Sequence, residues 1–180
     1  MDKDIKKILI DETTIRNRVS ELGKEITVDY EGCEPVFVGV LKGCFVFMAD
    51  LLRSIDLHCT MDFMSVSSYG DGTSSTGAVI ITKDLSKNIE DKDVIIVEDI
   101  LDSGMTLSYL SNYLKGRNPK SIKIVTLLDK PSRRRANINA DYVGFEVPDA
   151  FVVGYGLDFA EKYRSLPYIG ILKPEIYGEI

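Results

Sequence analysis

Short runs of consecutive apolar, largely β-branched residues set the strongest limit on what this chain can become. Val36 to Leu41 (VFVGVL), Val94 to Val97 (VIIV) and much of Ile122 to Leu128 (IKIVTLL) are apolar without strict alternation. Strands of that kind are buried on both faces, which is the habit of parallel sheets covered by helices. Helical patterns lie between them. Asp11 can cap a helix in which Ile15, Val19, Leu22 and Ile26 recur at spacings of four, three and four. Phe45 to Arg53 reads as a second helix, and Thr106 to Lys115 as a third, with Leu107, Leu110 and Leu114 on one face. Met61 to Val66, Gly77 to Thr82, Tyr142 to Val147 and Phe151 to Gly154 complete the expected strands before a loop-rich tail. Strands alternating with helices predict an α/β fold with a mostly parallel central sheet. In such sheets ligands bind beyond the carboxyl ends of the strands. The residues just after VFVGVL, VIIV, IVTLL and FVVGYG should therefore gather at one cleft.

Composition narrows the partners. The 180 residues are 44% hydrophobic with a formal charge of −6, enough for one domain with a real core. That charge opposes a nucleic-acid-binding surface, which needs clustered Lys and Arg, so no nucleic-acid partner is expected. Cys33, Cys44 and Cys59 are odd in number and form no C-x-x-C pair, which predicts a reducing compartment and no cysteine metal site. His58 is the single histidine, so chemistry needing two is excluded. Met1 to Leu9 is too charged for a signal peptide, and no apolar run reaches the roughly 18 residues of a membrane span. A cytoplasmic protein without a membrane partner is expected.

The most informative segment is VIIVEDILDSGMTL, from Val94 to Leu107. Ser103 to Thr106 fall where a strand turns into a helix, and the first N–H groups of a helix lack partners and attract anions. Gly104 permits close backbone approach, while Ser103 and Thr106 add hydroxyl donors. This suits a phosphate monoester and is no P-loop, since G-x-x-x-x-G-K-[ST] is absent. Glu98 and Asp99 stand side by side at the strand's end and repel one another unless hydroxyls or a cation intervene. Mg²⁺ suits one or two carboxylates plus substrate oxygens. A helix cap at Asp99 or Asp102 and a solvated Glu98 is the structural alternative.

This segment resembles the phosphoribosyl pyrophosphate (PRPP) signature of the type I phosphoribosyltransferases. Four more segments, in the same order, resemble the hypoxanthine-guanine branch: GVLKG (Gly39 to Gly43), SSYG (Ser67 to Gly70), LLDK (Leu127 to Lys130) and VGFEVPDAFVVGYGLDFAEKYRSLPYIG (Val143 to Gly170). The resemblance implies a type I phosphoribosyltransferase fold over 1–180, with a small hood from the terminal segments and a mobile loop at about 67–76. It implies transfer of the 5-phosphoribosyl group from PRPP to hypoxanthine or guanine, giving IMP or GMP plus pyrophosphate, with Mg²⁺ as cofactor and a homodimer or homotetramer as the assembly. A regulatory protein of the same fold, binding PRPP or nucleotide without turnover, is the alternative.

The resemblance also distributes roles. Glu98, Asp99, Ser103, Gly104, Met105 and Thr106 would hold the ribose and its phosphate. Leu41, Lys42, Gly43 and Arg164 would meet pyrophosphate, with a cis peptide at Leu41–Lys42. Lys130, Phe151, Val152 and Asp158 would read the purine: Lys130 by donating to a 6-oxo group, Phe151 by stacking, Val152 through its backbone. Glu98, Asp99 and Asp158 would serve the metal. Asp102 is expected to take the purine proton, to cap the helix, or both. Ser68 and Tyr69 would sit on the closing loop. Arg133 resembles a family arginine on the pyrophosphate side or at a subunit contact; Arg134 and Arg135 read as a solvated face or an oligomer contact.

Overall fold

The structure is a computed structural model, and it describes residues 1–68 and 79–178. Among these residues six strands form the main sheet in the order β4-β3-β2-β5-β6-β7. They are β2 (Val36–Leu41), β3 (Thr60–Ser68), β4 (Val79–Lys83), β5 (Asp93–Leu101), β6 (Ser121–Asp129) and β7 (Tyr142–Glu146). All neighbours are parallel except β4, which closes one edge antiparallel to β3.

The apolar runs are buried on both sides because helices cover both faces. Phe37, Ile95, Val97, Val125 and Leu127 pack with Ile15, Val19, Leu22 and Ile26 of α1 (Glu12–Asp29) and with Phe47, Met48 and Leu51 of α2 (Phe45–Arg53). The intervening residues Val38, Val94, Ile96 and Ile124 face the other way, onto Leu107, Leu110 and Leu114 of α3 (Met105–Lys115). The period of two on the sheet meets the helical period on each face. Asp11 accepts a hydrogen bond from Thr14 N at 2.8 Å and caps α1 as its position predicts.

A second sheet was not foreseen in full. β1 (Ile5–Ile10) pairs antiparallel with β9 (Ile169–Leu172), which pairs with the two-residue β8 (Val152–Val153). The charged start and the loop-rich tail are thus strands of one sheet. The short helix α4 (Pro174–Tyr177) follows β9. Val153, Tyr163, Leu166 and Leu172 make a small core of their own.

The connections fix where a ligand can sit. β2 leads to β3 on one side of the sheet, while β5 leads to β6 on the other. A crevice opens at such a reversal, at the carboxyl ends of the two strands. Here it is deepened. Pairing between β2 and β5 ends at Gly39 and Val97, yet β5 runs on beside β6 to Leu101. Glu98 and Asp99 therefore lie within β5 rather than beyond it, along a stretch whose β2 side is open.

Candidate active site

Two hollows adjoin at these strand ends. One, of about 230 Å³, is lined by Leu41, Gly43, Glu98, Asp99, Asp102, Ser103, Gly104 and Thr106 among others. The other, of about 410 Å³, is lined by Asp99, Ile100, Asp102, Lys130, Phe151, Val152, Asp158 and Tyr177. They share Asp99, Ile100 and Asp102. A larger hollow, of about 700 Å³, lies between α1, α2 and residues 164–167. It holds none of the strand-end acids, so size alone does not locate the chemistry.

The turn from Asp102 to Thr106 is built for an anion. Gly104 is the N-cap of α3 at φ +77° and brings no capping side chain of its own, although Ser103 Oγ accepts from Met105 N at 3.4 Å. A Cβ on Gly104 would come within 2.7 Å of Ile138 Cγ2, so the turn closes this tightly only with glycine. The carbonyls of the turn are already engaged behind it. Leu101 O accepts from Lys130 N at 3.0 Å, and Ser103 O accepts from Arg135 N and Ala136 N at 2.9 and 3.0 Å. Asp102 O accepts from Arg134 Nε at 3.0 Å. Among the described residues, the N–H groups of Asp102, Ser103 and Gly104 donate to no protein acceptor. Free donors, a helix N-terminus and two hydroxyl side chains meet at one spot.

The acids beside the turn are electrostatically unsettled. Glu98 Oε2 and Asp102 Oδ1 are shut off from solvent without a hydrogen-bond partner. Burial, and then the neighbouring Asp99, hold the Glu98 carboxyl well above the usual carboxylate range. Asp99 is pushed up to about 6 by burial, against the Ile100 N–H, its own N–H and Arg164, with Asp158 adding to the rise. Asp99 lies against Gly43, where any Cβ would collide with its carboxylate. Arg133 Nε stands 3.6 Å from Asp102 Oδ1. Among the described residues no group of three or more His, Cys, Asp or Glu side chains is placed to hold a metal.

The expected pyrophosphate groups converge on a residue not singled out in the sequence. The peptide between Leu41 and Lys42 is cis. Lys42 Nζ donates to Glu161 Oε2 at 3.0 Å, and Arg164 Nη2 lies 3.4 Å from Glu161 Oε1. Lys42, against a rise from burial and with help from Arg164, holds Glu161 below the usual carboxylate range. Arg164 also donates to Gly156 O at 2.8 Å and pairs with Asp158 Oδ1 at 2.9 Å. Asp158 Oδ2 accepts from Glu161 N at 2.8 Å, so both its oxygens are engaged. Only adjacency through the fold brings Glu161 to Lys42, since 119 positions separate them.

In the wider hollow Lys130 is buried, and its Nζ donates to Ala150 O at 2.9 Å, with Asp149 Oδ1 at 3.9 Å. Phe151 is 38% exposed and faces the cavity. Its ring lies 4.9 Å from that of Tyr177 at 23° and edge-on to Phe159 at 5.4 Å. Val152 is buried in β8. Tyr177 and Asp149 had no local signal in the sequence. Arg134 corrects an expectation. It is no solvated residue: its side chain is only 14% exposed and lies behind the turn, paired with Asp129. Of the expected closing loop, the backbone of Ser68 ends β3, while its side chain, Tyr69 and the rest of that segment to 76 lie outside the described residues.

Comparison with known proteins agrees with this fold. The phosphoribosyl transferase domain family matches residues 9–160. The chain is 60% identical to the hypoxanthine-guanine phosphoribosyltransferase of Bacillus subtilis, over 98% of each chain. It is also 60% identical to the bifunctional protein TilS/HprT of Listeria monocytogenes, over 99% of this chain and 28% of that protein. The chain thus spans little more than a quarter of that longer relative. A crystal structure of a hypoxanthine phosphoribosyltransferase from Staphylococcus aureus is 56% identical, with a TM-score of 0.95 over 98% of this chain and 96% of that one.

Proposed function

The chain belongs to the phosphoribosyltransferase family, and from that premise we propose that it transfers the 5-phosphoribosyl group of PRPP to hypoxanthine or guanine, forming IMP or GMP and releasing pyrophosphate. One observation carries this reading: the anion-binding turn and the hollow with Lys130 adjoin, and Asp99, Ile100 and Asp102 line both. A sugar phosphate on one side and a planar base on the other would meet at those residues.

The donors of 102–106 hold the 5-phosphate. Glu98 and Asp99 accept from the ribose hydroxyls, which offsets the repulsion between them. Lys42 and Arg164 exchange Glu161 for pyrophosphate, where the planar fork of Arg164 matches the phosphate oxygens. Lys130 spends one of its three donors on Ala150 O and keeps two for a 6-oxo group. Adenine would present an amino donor to that ammonium and leave buried polar groups unpaired, which selects 6-oxopurines. Phe151 stacks on the base, and the Val152 backbone reads its edge. Asp102, lining both hollows with an unpartnered Oδ1, takes the proton from the purine as its other ring nitrogen attacks the sugar.

The orphaned carboxylate oxygens of Glu98 and Asp102, and the lack of a larger ligand cluster among the described residues, fit Mg²⁺ bound by one or two carboxylates together with substrate oxygens. Glu98 and Asp99 would hold one ion, with Asp158 beside a second. Bound there, Mg²⁺ supplies charge neutralisation for the departing pyrophosphate. Asp158 already has one partner on each oxygen, Arg164 and the Glu161 N–H, so it would meet the ion through a remaining lone pair.

We read the small sheet as a hood over the base and the segment with Ser68 and Tyr69 as the part that closes on substrate. The assembly is a homodimer or homotetramer, and the location cytoplasmic; no helix among the described residues is long and apolar enough to cross a membrane. Pyrophosphate release measured with PRPP, Mg²⁺ and each of hypoxanthine, guanine, xanthine and adenine tests the reaction. Turnover with hypoxanthine and guanine but not adenine is expected, and Lys130→Met should erode that preference. Nucleotide binding without pyrophosphate release would favour the regulatory alternative.

A further inference from the structure

Backbone carbonyls are the natural enemy of a phosphate site, because an unengaged C=O facing an anion repels it. At this turn the carbonyls of Leu101, Asp102 and Ser103 are all drawn backwards by one segment, 130–136. Lys130 N engages Leu101 O, and Arg135 N with Ala136 N engages Ser103 O. The side chain of Arg134 supplies the rest. Its Nε donates to Asp102 O at 3.0 Å and its Nη2 reaches Leu101 O at 3.3 Å. Its Nη1 donates to Ile138 O at 2.6 Å, and Asp129 pairs with Nη2. The stem of Arg134 also walls the turn: a Cβ on Gly104 would lie 3.0 Å from Arg134 Cδ. Arg134 itself lines neither of the two hollows.

We propose that Arg134 is the positioning residue of the phosphate site: its guanidinium fork pins the carbonyls of Leu101 and Asp102 away from the cleft, and so turns the N–H groups of 102 and 103, which share those peptide planes, towards it. Arg134 acts through the backbone and not by touching substrate. The inference rests on the reading that this turn takes the 5-phosphate. A planar fork with donors in fixed directions is needed to reach two successive carbonyls and a carboxylate together; the ammonium of lysine keeps the charge but cannot keep that geometry.

Calorimetric binding of ribose 5-phosphate to the full chain tests this without turnover. Arg134→Lys should weaken binding about tenfold, the loss of hydrogen bonds from a charged donor. The KM for PRPP should rise with it, while the KM for hypoxanthine stays within about twofold, a split that general loosening of the fold would not produce. Arg135→Gln, which removes a neighbouring exposed charge, should leave ribose 5-phosphate binding unchanged. Asp129→Asn keeps Arg134 and removes only its anchor; it should weaken binding in the same direction by a smaller factor, and it serves if Arg134→Lys does not fold. Wild-type affinity in Arg134→Lys or, failing that variant, in Asp129→Asn would overturn the proposal. A loss in Arg135→Gln equal to that in Arg134→Lys would also overturn it, because bulk charge would then explain the effect. Wild-type protein that turns over PRPP but does not hold ribose 5-phosphate removes the phosphate role of the turn and Arg134 with it. Protein without turnover that binds ribose 5-phosphate and loses it in Arg134→Lys would sustain the positioning role while the proposed reaction fell.

Discussion

Asp102 is held through one atom and left open at another. Its carbonyl is fastened to Arg134, while its Oδ1 lies out of solvent without a hydrogen bond between the two hollows. A fastened backbone beneath an unpartnered carboxylate oxygen is what a proton acceptor needs: a fixed place and an unspent lone pair. Asp102→Asn preserves shape and removes basicity. Turnover should fall by about 100-fold or more, with the KM for PRPP changed by less than about threefold. Steady-state kinetics with hypoxanthine checks this, and full turnover in the variant would refute the base role. Glu98, Asp99 and Asp102 were legible because carboxylates after a buried apolar run are conspicuous. Glu161, Tyr177 and Arg134 were not. Each acquires its role from a partner far along the chain or from burial, and Arg134 sits in a run of three arginines that reads as surface.

At the scale of elements, the main sheet and its helices followed from local pattern, because burial on both faces leaves an uninterrupted apolar run. β1 and β9 did not, since they pair with each other across more than 150 positions and present lysines or few residues to a local reading. The end of β5 was also set too early: continued pairing with β6 carries the strand through both acids. A lock on the other face of the sheet offers a pH test. Asp84, after β4, accepts from Tyr113 Oη at 2.6 Å and pairs with Arg117, tying that edge to α3 and its end. Burial pushes Asp84 up, but Tyr113, the Leu85 N–H and Arg117 outweigh it and hold its pKa below the ordinary value. A carboxylate depressed in the folded state contributes stability above its unfolded pKa of about 3.9 and loses it as pH falls through the folded value. Thermal midpoints should therefore fall between about pH 5 and pH 3 less steeply in Asp84→Asn than in the wild type. Parallel curves would show that the pair contributes nothing measurable, as many partly exposed pairs do.

For the whole molecule the question is whether the small sheet is a separate unit or part of one cooperative body. It has a core of its own around Val153, Tyr163, Leu166 and Leu172. Its other face joins the main core: Ile10, Val152, Tyr155, Leu157 and Ile169 belong to the same buried cluster as Ile15, Phe47 and Ile95. Gly156 packs so closely on the β2–α2 loop that a Cβ there would come within 2.2 Å of Gly43 O. Shared burial of this kind couples the two sheets, so neither face can open without exposing apolar surface in the other. It also explains how the hollow lined by Lys130 and Phe151, walled by both, can hold a fixed shape. The coupling predicts a single calorimetric transition with calorimetric and van't Hoff enthalpies in agreement. Ile169, fully buried in β9, is the place to probe it. Ile169→Ala should cost about 2–5 kcal/mol and move the whole transition down by roughly 10 °C. An independent small sheet would instead show a second, earlier transition in Ile169→Ala, with the main one left in place.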